Sequence, residues 1–410
     1  MNWKHVSLLA VMLSPLSVSA GWTKLNTATT KDLNTIHFLN NNLGFVAGKD
    51  GVMLKTSNAG TSWSSLSTSF GEDINTIFFT DENTGWIAGK DGKIKKTSNG
   101  GSTWVAQNTG TDEDINSIHF INANQGIAAG DKGLVLVTVN GGTTWTNYSL
   151  VAAGSGSGSD DDGIELLNVQ WTNTSTAYIS GKDGYFAMST NGGHTWTQQA
   201  SGTTADLEGM HFYNATTGYV CYQTGGVRKT NGSGSFTSVT AATSKDLSSI
   251  FFVTATNGWT VGKEGRIQHT TNSGSSWTAE NISTVTSDLN DVYFPTETSG
   301  FIAGDDGIVL RYEPGSNPNP TAVQELDAAT SGIVVYPNPF STAINLELSH
   351  TAFTQENITL TVTNLIGQIV YAQKLAHARQ ISIPAVTWPA GTYFITVRSD
   401  QFISTIHLVK

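Results

Sequence analysis

Seven carboxylates recur at one position of this chain. Asp32, Asp73, Asp114, Glu165, Asp206, Asp246 and Asp288 each open a short, mostly apolar run, such as Asp32-Leu33-Asn34-Thr35-Ile36-His37-Phe38. A ring of acids at one level is a site for cations, or for a basic or polyhydroxylated partner. The same residues have a second use, because a carboxylate at the start of a strand can cap a turn by accepting backbone amides. A residue present in every repeat is first of all one that builds the repeat. Hydrolysis of a glycosidic bond needs one acid and one base at a set separation, and seven equivalent carboxylates single out no pair. No catalytic residue is assigned. Whether the chain is an enzyme stays open, with binding favoured over catalysis.

Three further groups could do chemistry. Asp160, Asp161 and Asp162 follow the run Gly154-Ser155-Gly156-Ser157-Gly158-Ser159. Adjacent carboxylates can supply part of calcium's six to eight oxygens, although a Gly/Ser run with acids also reads as a flexible insertion. Calcium is the one cofactor these residues suggest. His37, His119 and His211 share one position, filled elsewhere by Phe78, Gln170, Phe251 and Tyr293; those substitutes suggest packing rather than metal ligation. Cys221 is the single cysteine and stands where other repeats carry Ala47, Ala88 and Ala129, as a small buried residue does.

These residues must be positioned by a repeat. Trp22, Trp63, Trp104 and Trp145 are spaced 41 residues apart, and the rhythm continues through Trp196, Phe236 and Trp277. Each unit holds four short β-rich runs with a Lys-Asp-Gly type turn in the middle, as at Lys49-Asp50-Gly51 and Lys90-Asp91-Gly92. Asp-Gly between such runs is a hairpin signal. A period of 40–50 residues with four strands per unit indicates a β-propeller. The acid-led run occurs in seven copies, and the seventh unit stops at Tyr312 without a fourth strand. Gly21-Trp22-Thr23-Lys24-Leu25 is an unmatched fourth strand at the other end. The chain is expected to be all-β: a seven-bladed propeller over residues 21–312, closed by its own N-terminal strand. Such closure ties the two ends together and removes an open edge, and deleting residues 21–28 is expected to destabilise the whole ring.

The turn before each tryptophan reads Thr97-Ser98-Asn99-Gly100-Gly101-Ser102-Thr103-Trp104, and it recurs before Trp63, Trp145, Trp196 and Trp277. It resembles the Asp-box, or bacterial neuraminidase repeat, with Asn at the Asp position. Over residues 21–312 the repeat is most similar to the photosystem II assembly and stability factor family, which implies a seven-bladed propeller. It is also similar to propellers of sialidases and xyloglucan-degrading enzymes. Sialidases use three convergent arginines and a tyrosine nucleophile. The repeats here hold only Arg228, Arg266 and Arg311, on third strands of neighbouring units.

The ends carry sorting information. Lys4 and His5, the apolar stretch Val6–Val18, and Val18-Ser19-Ala20 before Gly21 read as a secretory signal over residues 1–20, cleaved between Ala20 and Gly21. No other segment is apolar and long enough to cross a membrane. Net charge is −11, which disfavours nucleic acid as a partner. Residues 313–332 form a Pro-rich linker. Beyond them, Tyr336-Pro337-Asn338-Pro339, Gly367-Gln368-Ile369-Val370, Ala390-Gly391-Thr392-Tyr393 and the terminal Lys410 resemble the C-terminal sorting domain of the type IX secretion system of Bacteroidetes. That resemblance covers residues 333–410. It implies a small immunoglobulin-like β-sandwich recognised by an outer-membrane translocon, and a host without photosystems. The expected function is a secreted or cell-surface scaffold that presents an acidic propeller face to a protein or glycan. The alternatives are an extracellular glycoside hydrolase and an assembly or adhesion factor for surface proteins.

Overall fold

A computed structural model describes residues 21–150, 164–232, 235–239, 243–312, 324–325, 333–337, 340–348, 357–364, 369–376, 380–398 and 402–410. Residues 1–20, expected to be a signal segment, and the acidic insertion with Asp160, Asp161 and Asp162 lie outside the described residues. The chain forms two compact units, divided between Ser316 and Asn317.

The first unit is built from seven four-stranded sheets. In six of them four consecutive strands pair in order, as Leu33–Phe38, Gly44–Gly48, Met53–Thr56 and Ser64–Ser65 do in blade one. The seventh combines Leu289–Thr296, Ser299–Gly304 and Val309–Tyr312 with Trp22–Leu25. Trp22 lies opposite Tyr312, and Leu25 opposite Val309, in an antiparallel ladder. The N-terminal strand thus closes the ring.

Burial is greatest in the second strands and least in the fourth, with the first strands, which line the bore, in between. The second strands, such as Gly44–Gly48 and Gly85–Gly89, are buried at every residue, which is why their sequence is a continuous apolar run. The fourth strands are exposed at Ser64–Ser65 and Thr146–Asn147. Adjacent blades meet through stacked rings. The second-strand aromatic of one blade lies on the first-strand phenyl of the next: Phe301 on Phe38 at 3.6 Å, Phe45 on Phe79 at 3.9 Å, Trp86 on Phe120 at 3.6 Å, Tyr178 on Phe212 at 3.9 Å, Tyr219 on Phe252 at 3.6 Å and Trp259 on Phe294 at 3.9 Å. Trp63, Trp104, Trp145 and Trp277 set their edges against four of these phenyls, the arrangement the aromatic quadrupole favours. The periodic tryptophans are therefore parts of the seams.

Every first strand has a register shift two residues from its start, as between Leu33 and Thr35 or Ile74 and Thr76. A bulge re-aims the extra residue away from the ladder. In four blades that residue is an asparagine, Asn34, Asn75, Asn116 or Asn290, whose amide donates to the first-strand carbonyl of the next blade: Ile74, Ile115, Leu166 and Leu33 respectively; in the other three it is Leu167, Glu208 or Ser248.

The second unit packs a three-stranded sheet (Ile333–Tyr336, Ala343–Leu348, Gln380–Pro384) and a five-stranded sheet over one core. The core includes Ile344, Leu346, Leu360, Val362, Ile395, Val397 and Leu408. It is the expected small sandwich. At its end the Lys410 ammonium donates to the carbonyls of Ala385 at 2.6 Å, Val386 at 3.2 Å and Trp388 at 2.6 Å.

Candidate functional site

The Lys-Asp-Gly turns join second to third strands at the mouth where the first strands begin. The turn closes tightly on its own blade: the Lys49 amide donates to the Asp32 carbonyl at 3.0 Å. A Cβ on Gly48 would lie 2.0 Å from that oxygen, so only glycine fits. The middle residue of each turn is left-handed, with φ of 53° at Asp50 and 57° at Asp91, a conformation that Asp tolerates. Its N–H then points out of the blade, toward the next one.

Six of the seven carboxylates receive those amides. Asp73 accepts the N–H of Asp50 at 2.9 Å, Asp114 that of Asp91 at 3.0 Å, and Asp206 that of Asp183 at 3.0 Å. Asp246 accepts from Thr224 at 2.7 Å, Asp288 from Glu264 at 3.0 Å, and Asp32 from Asp306 at 3.0 Å across the closure. Glu165 has one more methylene and pairs with Lys182 at 2.5 Å. The second oxygen is often occupied as well: Asp32 by Lys49 at 2.5 Å, Asp288 by Lys263 at 2.7 Å, Asp206 by Gln223 at 3.0 Å, and Asp114 by Lys90. The Lys49 ammonium, helped by the Asp306 amide, holds the Asp32 carboxyl below its ordinary range. The carboxylates thus share one mouth, where six of them latch a blade to its predecessor. Acids on the turns face solvent at this mouth, with side-chain exposures of 68% at Asp50, 61% at Asp91 and 56% at Glu264, each paired with a lysine: Lys31, Lys93 and Lys245 respectively.

The Asp-box turns use a closed local network at the opposite end of the blades. The Asn58 carbonyl oxygen accepts from the Thr56 hydroxyl at 3.0 Å and the Ser62 amide at 2.9 Å, while its NH2 donates to the Ser62 hydroxyl at 2.9 Å. Asn99, Asn140, Asn191 and Asn272 repeat it. The last bond needs a donor, which explains Asn at this position. These side chains are committed to the turn.

Between the two ends the first strands surround a cavity of about 420 Å³. One tier of its wall is Thr35, Thr76, Ser117, Asn168, Ser249 and Asp291, with Gly209 at the equivalent position of blade five. Thr76, Ser117, Ser249 and Asp291 each accept the N–H of the residue one tier along in the next blade: Ile118 at 3.3 Å, Val169 at 3.1 Å, Val292 at 3.4 Å and Ile36 at 2.9 Å. Asp291 also accepts from the Ser249 hydroxyl at 3.0 Å and its neighbour's amide at 2.9 Å. Burial pushes its carboxyl up to about 6 despite these bonds. The next tier is a collar of rings. Tyr293, His37, Phe78 and His119 follow one another at 5.0, 5.1 and 4.6 Å between centroids, and His211, Phe251 and Tyr293 at 4.1 and 5.2 Å. Gln170 fills the remaining position, exchanging two hydrogen bonds with the Phe212 backbone.

The three histidines therefore line the bore as members of an aromatic collar. Burial lowers them to about 4 at His37, about 3 at His119 and about 4 at His211, so they are neutral at pH 7. Among the described residues no group of three or more His, Cys, Asp or Glu is arranged to hold a metal ion. Cys221 is buried and its thiol is pushed far up by burial, as a packing residue. Asp291 is not marked by the repeat pattern. Its signal in the sequence is a departure from it, one acid where the other blades place Thr, Ser, Asn or Gly.

The fold and its C-terminal unit define a class: a β-propeller carrying a C-terminal sorting domain. The profile of the secretion system C-terminal sorting domain matches residues 334–410. That of the photosynthesis system II assembly factor YCF48 matches 14–105, 61–160 and 227–313, more than half of the chain. The chain belongs to this YCF48-type repeat family and carries a sorting tail of the type IX secretion system. Among solved structures it is similar to YCF48 bound to a D1 peptide, at 18% identity and a TM-score of 0.60, covering 75% of this chain and 99% of that one. YCF48 from Cyanidioschyzon merolae gives 19% and 0.61, over 72% and 99%. PorZ, a surface component of the type IX system of Porphyromonas gingivalis, gives 12% and 0.54, over 92% of this chain and 59% of PorZ. At these identities the likeness is one of fold. No curated protein matches the chain. The tail directs the chain through type IX secretion to the cell surface or beyond, and no described helix is long and apolar enough to cross a membrane.

Proposed function

We propose that the chain is a non-catalytic surface scaffold whose ring presents its Lys-Asp-Gly mouth to a polypeptide partner. The observation that carries this reading is the latch. Most of the mouth carboxylates bind the neighbouring blade's backbone, so the mouth is a rigid platform edged by exposed turn acids. Rigid loops on a rigid ring suit recognition, since little is lost in ordering them on binding. A peptide is favoured over a glycan because one similar structure holds a peptide. The acidic edge favours a basic segment. On this reading the mature chain starts at Gly21, and residues 21–312 are a cargo that residues 333–410 deliver.

The test has two arms. In cells, the chain without residues 333–410 is expected to remain inside the outer membrane while the full chain is exported. In vitro, the mature chain is expected to retain basic peptides from surface proteins, and less so after Asp50, Asp91 and Glu264 are changed to Asn or Gln together. Equal retention by that variant would remove the acidic mouth from the reading. Release of sugar by the mature chain from any extracellular polysaccharide, abolished by one carboxylate change, would replace it with the hydrolase alternative.

A further inference from the structure

We infer that the central cavity is a site for a small organic cation, an alkylammonium of about choline size, independent of the mouth. Three observations meet there. The first is charge. Asp291 is the one carboxylate lining the cavity, and neither lysine nor arginine lines it. The histidines around it are neutral through burial. A buried negative charge therefore faces the cavity with hydrogen bonds but no protein cation to balance it, and such a charge is costly to bury.

The second is that the ring does not need this charge. Ser117 and Thr76 accept the next blade's amide through a hydroxyl, at 3.1 and 3.3 Å, and a serine at 291 could do the same for Ile36. The carboxylate is an addition to the latch rather than a requirement of it. The third is the collar. Phe78, Phe251 and Tyr293, interleaved with His37, His119 and His211, enclose the bore with ring contacts of 4.1–5.2 Å. Aromatic enclosures with a nearby carboxylate attract cations through the ring quadrupole. His119 Nδ1 is buried in this wall without a protein partner, a free polar atom for a hydroxyl or N–H on the ligand. The volume of about 420 Å³ admits such a molecule with room for bound water.

The probe is choline, titrated calorimetrically into the mature chain at pH 7.5, against its neutral isostere 3,3-dimethyl-1-butanol. Choline is expected to bind, and the isostere at least tenfold more weakly. Asp291→Ser, the residue blades three and six place there, is expected to weaken choline at least tenfold while leaving the circular dichroism spectrum unchanged. Phe251→Leu is expected to weaken it less. Absence of choline binding, equal binding of the isostere, or full binding by Asp291→Ser each overturns the site. The comparison of choline with its isostere uses only the unaltered chain, so it decides the matter even if a variant fails to fold. Failure here leaves the mouth reading untouched, since none of these residues lies on it.

Discussion

The ring closure can be tested at a single side chain. Trp22 is 5% exposed, and its indole N–H donates to Glu280 at 3.0 Å. Glu280 is buried; it also accepts from Trp259 at 3.2 Å and pairs with His269 at 2.8 Å. Trp22→Phe keeps most of the apolar contact and removes one donor to a buried carboxylate, which costs about 1–3 kcal/mol. Trp22→Ala also removes roughly 200 Å² of buried surface, or about 3–5 kcal/mol with the cavity left behind. The expected losses are thus about 2 kcal/mol for Phe and about 4–8 kcal/mol for Ala. Urea unfolding of the mature chain, followed by tryptophan fluorescence, reads them, because all but one of its tryptophans lie in the propeller. A double-mutant cycle with Glu280→Gln separates the hydrogen bond from the packing. If Trp22→Ala lost less than about 1 kcal/mol, the N-terminal strand would not be holding the ring, and deletion of residues 21–28 should then be harmless as well.

Other outcomes follow from the same geometry. His37, His119 and His211 titrate lower in the fold than in the open chain, so their stability is present above about pH 6.5 and is lost as pH falls toward 4. Asp291, raised to about 6, has the opposite sign and regains roughly 3 kcal/mol over the same range; three histidines outweigh it, and Tyr293, the other titratable group of that collar, stays protonated. His119→Phe, matching Phe78 and Phe251, should reduce the stability lost between pH 7 and pH 5 by roughly 2 kcal/mol, and an unchanged slope would show that His119 titrates normally. Asp73→Ala, Asp206→Ala and Asp246→Ala each remove an amide cap and should cost on the order of 1 kcal/mol in urea unfolding, nearly additively since they sit on different blades; a triple variant as stable as the unaltered chain would remove the latch. Lys410→Met should lower protection from amide exchange in Thr392–Arg398 and leave the propeller amides alone, because the lost bonds are all within the tail; equal protection in both would show that the carbonyl cage is idle.

The architecture was legible because a propeller repeats its instructions. Trp63, Trp104 and Trp145 mark the seams, Asp-Gly marks the turns, and a seventh unit ending at Tyr312 leaves Trp22–Leu25 as the strand that must complete it. The turn-capping use of Asp73 and its equivalents was also open to the sequence, since acids that begin strands commonly accept amides. That the amide comes from the preceding blade was not, because it depends on a left-handed residue aiming its N–H across a seam. The bond from Trp22 to Glu280 joins residues 258 positions apart, and no periodic pattern announces it. Asp291 was hidden for the opposite reason: a repeat draws attention to what recurs, and this carboxylate occurs once.

Closure through Trp22–Leu25 also works as a gauge of completeness. The first strand of the propeller finds its partner, Val309–Tyr312, only when almost three hundred further residues have followed. Until then blade seven has an open edge, the Glu280 pocket lacks an indole, and the pairing carries the full loop-closure entropy of the propeller. A chain interrupted at any earlier point exposes an unpaired strand to proteases and to other chains. Only a complete propeller can pair its first strand with its last.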